Sequence, residues 1–289
     1  MDHPAERQKK LMGTFSRSWD LLGQSFTVLK SDKELFWLPV MSAIFCLSVT
    51  AVIFSSALLV MGPIHSIPGD IGAQKLFYQQ MAPFVFLFYL VTYSIATFFN
   101  VALVSIASNR LAGGLATLDY GLQVAWNRKW RIIQWALVAA TVGMLLKMLE
   151  QRLSRFIASV IGFVWTLASF FVVPLLAAED IGPGEALYRS AEIFRDVWGE
   201  EVVGGFNFGI IFLVLSLPGL LLPFVSIRFG KVGLFMGLAL MTIYLLLLGV
   251  VNSAAQGIFV AALYRYATTQ QVSGGFQPDD LAGAWQPKQ

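Results

Sequence analysis

Residues 162–201 read GFVWTLASFFVVPLLAAEDIGPGEALYRSAEIFRDVWGEE. An apolar run, Phe163 to Ala178, stops at Glu179-Asp180. A Gly-Pro-Gly turn follows at Gly182 to Gly184, then a segment of mixed polarity from Glu185 to Trp198, and a new apolar run opens at Val202. Apolar runs of about 20 residues match the hydrocarbon thickness of a bilayer. The order is therefore membrane helix, acidic stop, turn, surface helix, membrane helix. The same order recurs around residues 98–138 and, in part, at the N-terminus.

Composition fits that reading. Of 289 residues, 57% are hydrophobic and 13% charged, whereas soluble domains carry roughly 25% charged residues. The net charge of +3 is small, and no basic stripe accompanies groove-reading or stacking residues, so a nucleic-acid partner is not expected. Cys46 is the single cysteine. It rules out an intrachain disulfide or a thiolate cluster and reads as a small apolar packing residue. His65 has no ligand-type neighbour at metal spacing, so no metal and no cofactor is expected.

Six apolar spans can be placed, at about 35–61, 82–107, 132–149, 156–178, 202–225 and 232–266. Polar or mixed segments separate them. Gly62 to Met81 reads as a polar loop. The polar start before the first span does not have the form of a cleaved signal, and residues 267–289 read as a loose tail. Three segments carry an apolar ladder at helical spacing. The first ladder is Phe15, Trp19, Leu22, Phe26 and Leu29. The second is Leu118, Leu122, Trp126 and Trp130, and the third is Leu187, Ala191, Phe194 and Trp198. Helices with one aromatic face and a polar remainder lie in the headgroup plane or dock on their own bundle. Trp19, Trp126, Trp130 and Trp198 are the expected interfacial aromatics. Glu185–Arg189 and Glu192–Arg195 have the spacing of helical ion pairs, each worth about 0.2–0.5 kcal/mol.

Most lysines and arginines fall on one side of a six-span arrangement, in the N-terminal segment, around Arg128-Lys129 and Arg131, and in the third surface segment. The positive-inside rule then places both termini in the cytoplasm of a cell whose plasma (inner) membrane holds the chain. The Arg152/Arg155 connection runs against this count. Setting Gly114 against Gly182 aligns Trp126 with Phe194 and Trp130 with Trp198. With Phe15 to Met61 as a weaker third copy, the expected fold is all-α: a six-helix transmembrane bundle with three amphipathic cytoplasmic interfacial helices. It is built as a pseudo-threefold repeat of surface helix plus membrane hairpin.

Several stretches carry a resemblance. They include Ser18-Trp19 through Lys33-Glu34-Leu35, Phe98-Phe99-Asn100-Val101-Ala102-Leu103, and Trp135 through Gly143. Glu185-Ala186-Leu187 through Ser190, Trp198-Gly199-Glu200 and Ala262-Leu263-Tyr264-Arg265-Tyr266 complete them. Together they resemble an uncharacterised family of six-span membrane proteins from bacteria and archaea. The resemblance implies fold and membrane location and hands over no catalytic residue.

Chemistry is sparse. Asn100, Asn252 and Gln256 are amides inside apolar spans, where an unpaired amide is costly. They either hold helices together or line a polar midplane site. Glu179 and Asp180 either end a helix on its wet side or form a cation- or proton-handling pair. No nucleophile elbow, zinc motif, phosphate loop or dinucleotide fingerprint is present. The leading expectation is a non-enzymatic membrane scaffold or adaptor whose cytoplasmic aromatic helices bind membrane lipid or a protein partner. The alternative is a carrier for a small or lipidic substrate using the three amides. An enzyme acting on lipid, with Glu179 and Asp180, comes third.

Overall fold

The computed structural model describes residues 33–61, 71–152, 155–198 and 208–269. Among them there is no β-strand. A 3-10 turn, Lys33–Phe36, leads into α1 (Trp37–Met61), followed by α2 (Ile71–Leu111), α3 (Leu118–Asn127), α4 (Lys129–Arg152), α5 (Arg155–Ala168), α6 (Val172–Ala178), α7 (Pro183–Trp198), α8 (Phe208–Ser226) and α9 (Gly230–Thr269). The chain is all-helical, with several helices long and apolar enough to cross a membrane. Five such stretches are found by length and composition: Glu34–Val60, Gln79–Leu111, Lys129–Glu150, Phe156–Ala178 and Phe212–Thr269. The last runs from within α8 to the end of α9.

The elements depart from the sequence expectation in instructive ways. Residues 71–81, read as loop, form the start of α2. The span expected at 156–178 is two helices, α5 and α6, separated at Ser169–Phe171. Residues 202–207 of the expected fifth span lie outside the described residues, as do the first surface segment, with Trp19, and the tail.

Helix is what an apolar chain must form where water is excluded, because every backbone group is then bonded within its own segment. Hydroxyls in these helices follow the same rule. Ser48 donates to the Ile44 carbonyl, Ser56 to Val52, Thr141 to Leu137, Thr166 to Gly162 and Thr242 to Leu238, at 2.8–2.9 Å. Each is the i to i−4 back-bond that lets a hydroxyl sit in an apolar helix without an outside partner.

The chain divides into two compact units. One comprises Met1–Pro39, Leu103–Leu118 and Glu192–Gln289; the other comprises Val40–Ala102 and Asp119–Ala191. In the first unit, α8 and α9 form an antiparallel hairpin closed by the 3-10 turn Ile227–Phe229. Glycines set its closeness. A Cβ at Gly219 would collide with the Tyr244 ring, and one at Gly237 with Ser226 Oγ and the Pro223 backbone. Small residues that let backbones approach are the usual contact of helices in lipid. Pro218 and Pro223 lie inside α8, which runs on through both. Proline supplies no N–H and disturbs the carbonyls of the preceding turn. The Leu215 carbonyl, three residues ahead of Pro218, accepts a 2.6 Å hydrogen bond from the Tyr244 hydroxyl. The rest of this core is Leu35 and Leu38 by the N-terminal turn, Leu103, Ile106 and Leu111 at the end of α2, and Ala255, Ile258, Phe259 and Leu263 on α9, all buried.

In the second unit, α1 meets α2 through the Phe45–Phe99 ring contact at 5.8 Å and the Cys46 thiol, which donates to the Thr92 carbonyl. Trp135 of α4 stacks on Trp165 of α5, with centroids 5.8 Å apart and planes within 12°. The α5–α6 break has a local cause. Pro174 would drive its ring into the Phe170 carbonyl if the helix ran on unbroken. The chain tightens instead: the Phe170 N–H bonds to the Leu167 carbonyl and Val172 N–H to Ser169, each at 3.2 Å. The Phe171 N–H is directed to a side chain from another helix. The Ser190 hydroxyl of α7 accepts it at 2.9 Å. Phe171 and Ser190 are both fully buried.

Candidate interfacial site

Two groups of side chains collect the most chemistry among the described residues, and each lies within one unit. The first, in the first unit, is at the end of α2. Asn109 accepts the Ala116 N–H on its side-chain oxygen at 3.2 Å, and its backbone carbonyl takes the Gly114 N–H at 2.9 Å. Arg110 Nε donates to the Ala116 carbonyl at 2.7 Å, and its guanidinium reaches Glu34 at 3.5 Å. Asn109 and Arg110 thus bind both polar groups of one peptide residue and fix the exit from α2. Gly113 turns the chain there with φ +88°, a conformation that costs a residue with a Cβ about 1–2 kcal/mol.

α3 then presents a face that differs from its apolar ladder. Gly121 and Ala125 are its buried residues. Leu118 and Leu122 are half-buried, while Trp126 and Trp130 are exposed, at 61% and 68%. The ladder of bulky side chains is therefore rotated outward. The two indoles are the most exposed members of that ladder. Lys129 Nζ lies 4.6 Å from the centre of the Trp126 ring, a cation–π distance worth about 0.5–1 kcal/mol where exposed.

Arg128 and Arg131 flank this pair and converge on Asp180, at 3.1 and 3.2 Å. The Arg131 hydrogen bond, followed by the charges of Arg128 and Arg131, holds the Asp180 carboxyl below the usual carboxylate range. Beside it, Glu179 ends α6. Its N–H bonds to the Leu175 carbonyl at 2.8 Å, and its extended backbone leads the chain away from the helix. Its carboxylate pairs with Arg189 of α7. Each of the two boundary carboxylates thus sits on arginine, an arrangement suited to fixing the α6–α7 turn beside α4 and unsuited to holding a free cation.

α7 is also rotated from its expected stripe. Its buried residues are Ala186, Ser190 and Phe194, whereas Leu187 and Ala191 are half-buried. The bond from Phe171 to Ser190 fixes that rotation. Arg189 reaches Glu179, a tertiary partner ten residues back, and Arg195 pairs with adjacent Asp196 at 3.1 Å in place of the expected Glu192. Trp198 is the last residue of α7. The alignment of Trp126 with Phe194 joins an exposed residue to a buried one, so the two surface helices are not equivalent at that position.

The three amides belong to different units. Asn100 is half-buried on α2 in the second unit, and its side chain makes no hydrogen bond among the described residues. Asn252 and Gln256 belong to the first unit, where Gln256 Nε2 donates to Asn252 Oδ1 at 2.8 Å. Among the described residues, no three His, Cys, Asp or Glu side chains gather as metal ligands. His65 lies outside them. Ser190, Asn109, Arg110 and Tyr244 were not singled out from the sequence. Ser190 alone had a signal: a hydroxyl set among the apolar positions of a surface helix.

No curated protein and no solved structure matches this chain. A family model does, over residues 79–275, from within α2 to beyond α9. The match covers more than half of the chain, which belongs to the family of unknown function DUF6159.

Proposed function

We propose that this chain is a non-enzymatic integral membrane scaffold that holds aromatic helices in the headgroup layer of the bilayer. Six crossings carry it: α1, α2, α4, α5 with α6, α8 and α9. The side bearing α3 and α7 is cytoplasmic by the positive-inside rule, as are both termini, and the membrane is the plasma membrane. The surface helices are read as copies of one repeated unit with a membrane hairpin.

The observation that supports this is the outward rotation of Trp126 and Trp130 beside Arg128, Lys129 and Arg131. Indoles belong at the headgroup level, where an apolar ring and an N–H donor are both satisfied. A basic residue near an anionic leaflet contributes about 1 kcal/mol. Asp180 offsets part of the arginine charge, and Lys129 stays over the indole. The cluster therefore has net positive charge, apolar area and hydrogen-bond donors at one level, which is the chemistry of a phospholipid headgroup.

The test is depth-resolved quenching of tryptophan fluorescence in the full chain reconstituted in vesicles. Quenchers placed at headgroup level should lose part of their effect in a Trp126→Phe/Trp130→Phe variant, while deep quenchers act on both proteins alike. If aqueous iodide instead claims the fluorescence that this variant lacks, the two rings face water and the scaffold reading falls.

A further inference from the structure

We infer that Arg128 and Arg131 form a binding site for the headgroup phosphate of an anionic phospholipid, which takes the place of Asp180 between the two guanidinium groups. This deepens the reading of Trp126 and Trp130 as headgroup-level residues and rests on it. All the residues involved belong to the second unit.

The arginines carry the inference. They stand three residues apart, the spacing of neighbours on one helix face. Both reach the same oxygen, Asp180 Oδ1, Arg128 through Nη1 at 3.1 Å and Arg131 through Nε at 3.2 Å. Each guanidinium owns five N–H donors in a planar fork. Among the described residues neither guanidinium has another hydrogen bond or ion pair, and Asp180 Oδ2 has none. One tethered oxygen therefore serves two forks, each of which fits a phosphate bidentately.

Asp180 is a displaceable partner. Its side chain is 62% exposed, and ion pairs that face solvent hold weakly. The Arg131 hydrogen bond and the two arginine charges keep its carboxyl ionised, so the position between the guanidiniums already favours an anion. Room for a larger one lies alongside. A Cβ built on Gly182 would meet only Arg131 Nη1, at 4.0 Å, and one on Gly184 would meet nothing within 4 Å.

Charge and apolar area together choose the ligand. Arg128, Lys129 and Arg131 against Asp180 are three cations and one carboxylate, a surplus of two positive charges. A zwitterionic headgroup brings its own ammonium into that field, whereas an anionic headgroup does not. The exposed indoles of Trp126 and Trp130 make the source a lipid. Indoles are satisfied at the level of lipid headgroups, and a free phosphate has no use for them.

The experiment is native mass spectrometry of the full chain in mild detergent, titrated with phosphatidylglycerol or with phosphatidylcholine of the same acyl chains. The readout is occupancy by the first lipid. Phosphatidylglycerol should bind roughly tenfold or more tightly, at about fivefold for each surplus charge. Arg128→Gln/Arg131→Gln should abolish the preference. Arg128→Lys/Arg131→Lys keeps the charge and loses the forks, so it should lose most of the preference too. Asp180→Asn should raise phosphatidylglycerol affinity by about fivefold, a gain that misfolding cannot imitate. Glycerol phosphate in large excess should leave the lipid bound. Equal binding of the two lipids, or a preference that survives in the glutamine or lysine variant, overturns the inference. So does weaker binding in Asp180→Asn, or displacement of the lipid by glycerol phosphate. Depth-resolved quenching of Trp126 and Trp130 runs in parallel. Quenching at headgroup level with no lipid preference would defeat this inference alone; quenching by aqueous iodide would defeat the headgroup reading beneath it.

Discussion

Replacing Ser190 by alanine removes a single oxygen from a fully buried position. That oxygen accepts the Phe171 N–H at the α5–α6 break, and Phe170 already uses the Leu167 carbonyl that Phe171 would have bonded in a continuous helix. An orphaned buried N–H costs about 1–3 kcal/mol. Interhelical side-chain bonds in membrane proteins average nearer 0.6 kcal/mol, because the loosened state finds other partners. The upper range should win here, since Phe171 is itself fully buried. The assay is denaturant titration of the purified full chain in mild detergent, followed by helix content. A second perturbation isolates the cause. Pro174→Ala lets α5 run into α6 and returns the Phe171 N–H to its helical acceptor, so Ser190→Ala should cost much less in that background. A Ser190→Ala loss below about 0.5 kcal/mol would refute the assigned role of the hydroxyl. An equal loss with and without Pro174 would refute the account of the break.

Three further outcomes follow from other contacts. Gly219→Val drives a branched side chain into the Tyr244 ring and should destabilise the α8–α9 hairpin by about 1–3 kcal/mol, measured in the same titration. Tyr244→Phe withdraws the donor from the Leu215 carbonyl. It should cost about 1 kcal/mol, with thermal unfolding in detergent as the check and an unchanged midpoint as the adverse result. Asp180, with its carboxyl held low by Arg131 and Arg128, contributes stability that is present above the unfolded pKa of about 3.9 and lost only as pH falls through the lower folded value. Unfolding midpoints of wild type and Asp180→Asn should therefore differ by a constant amount from pH 5 to 8 and converge below about pH 4. A gap that opens or closes near neutrality would show that another group is titrating.

Much of the fold could be read from local pattern. The apolar blocks mark the long helices because the hydrocarbon sets a minimum length that soluble proteins rarely meet with so little charge. Glu179, Asp180 and the Gly182–Gly184 turn mark the end of one helix and the start of the next. The misreadings share a cause. Pro174 was visible, but whether proline merely bends a helix or restarts it depends on a partner for the freed N–H, and that partner, Ser190, lies on α7. The start of α2 at Ile71 was hidden by Gln74, Lys75, Gln79 and Gln80, whose polarity suggested a loop although all are good helix formers. Glu185–Arg189 satisfied the local spacing rule, yet Arg189 also had Glu179 within reach, and sequence distance says nothing about such competition.

The rotation of α3 and α7 has a more general reason. In water, a ladder of large apolar residues identifies the buried face, because hydrophobicity drives it inward. Next to lipid that inference weakens. A bulky indole loses little by facing outward, whereas close approach of two backbones requires a small side chain. Gly121 and Ala125 are buried while Trp126 is exposed, and Gly219 and Gly237 face their hairpin partner while Leu221 and Leu240 do not. Helical period still finds the faces of these helices; residue size and unfinished hydrogen bonds decide which face meets protein.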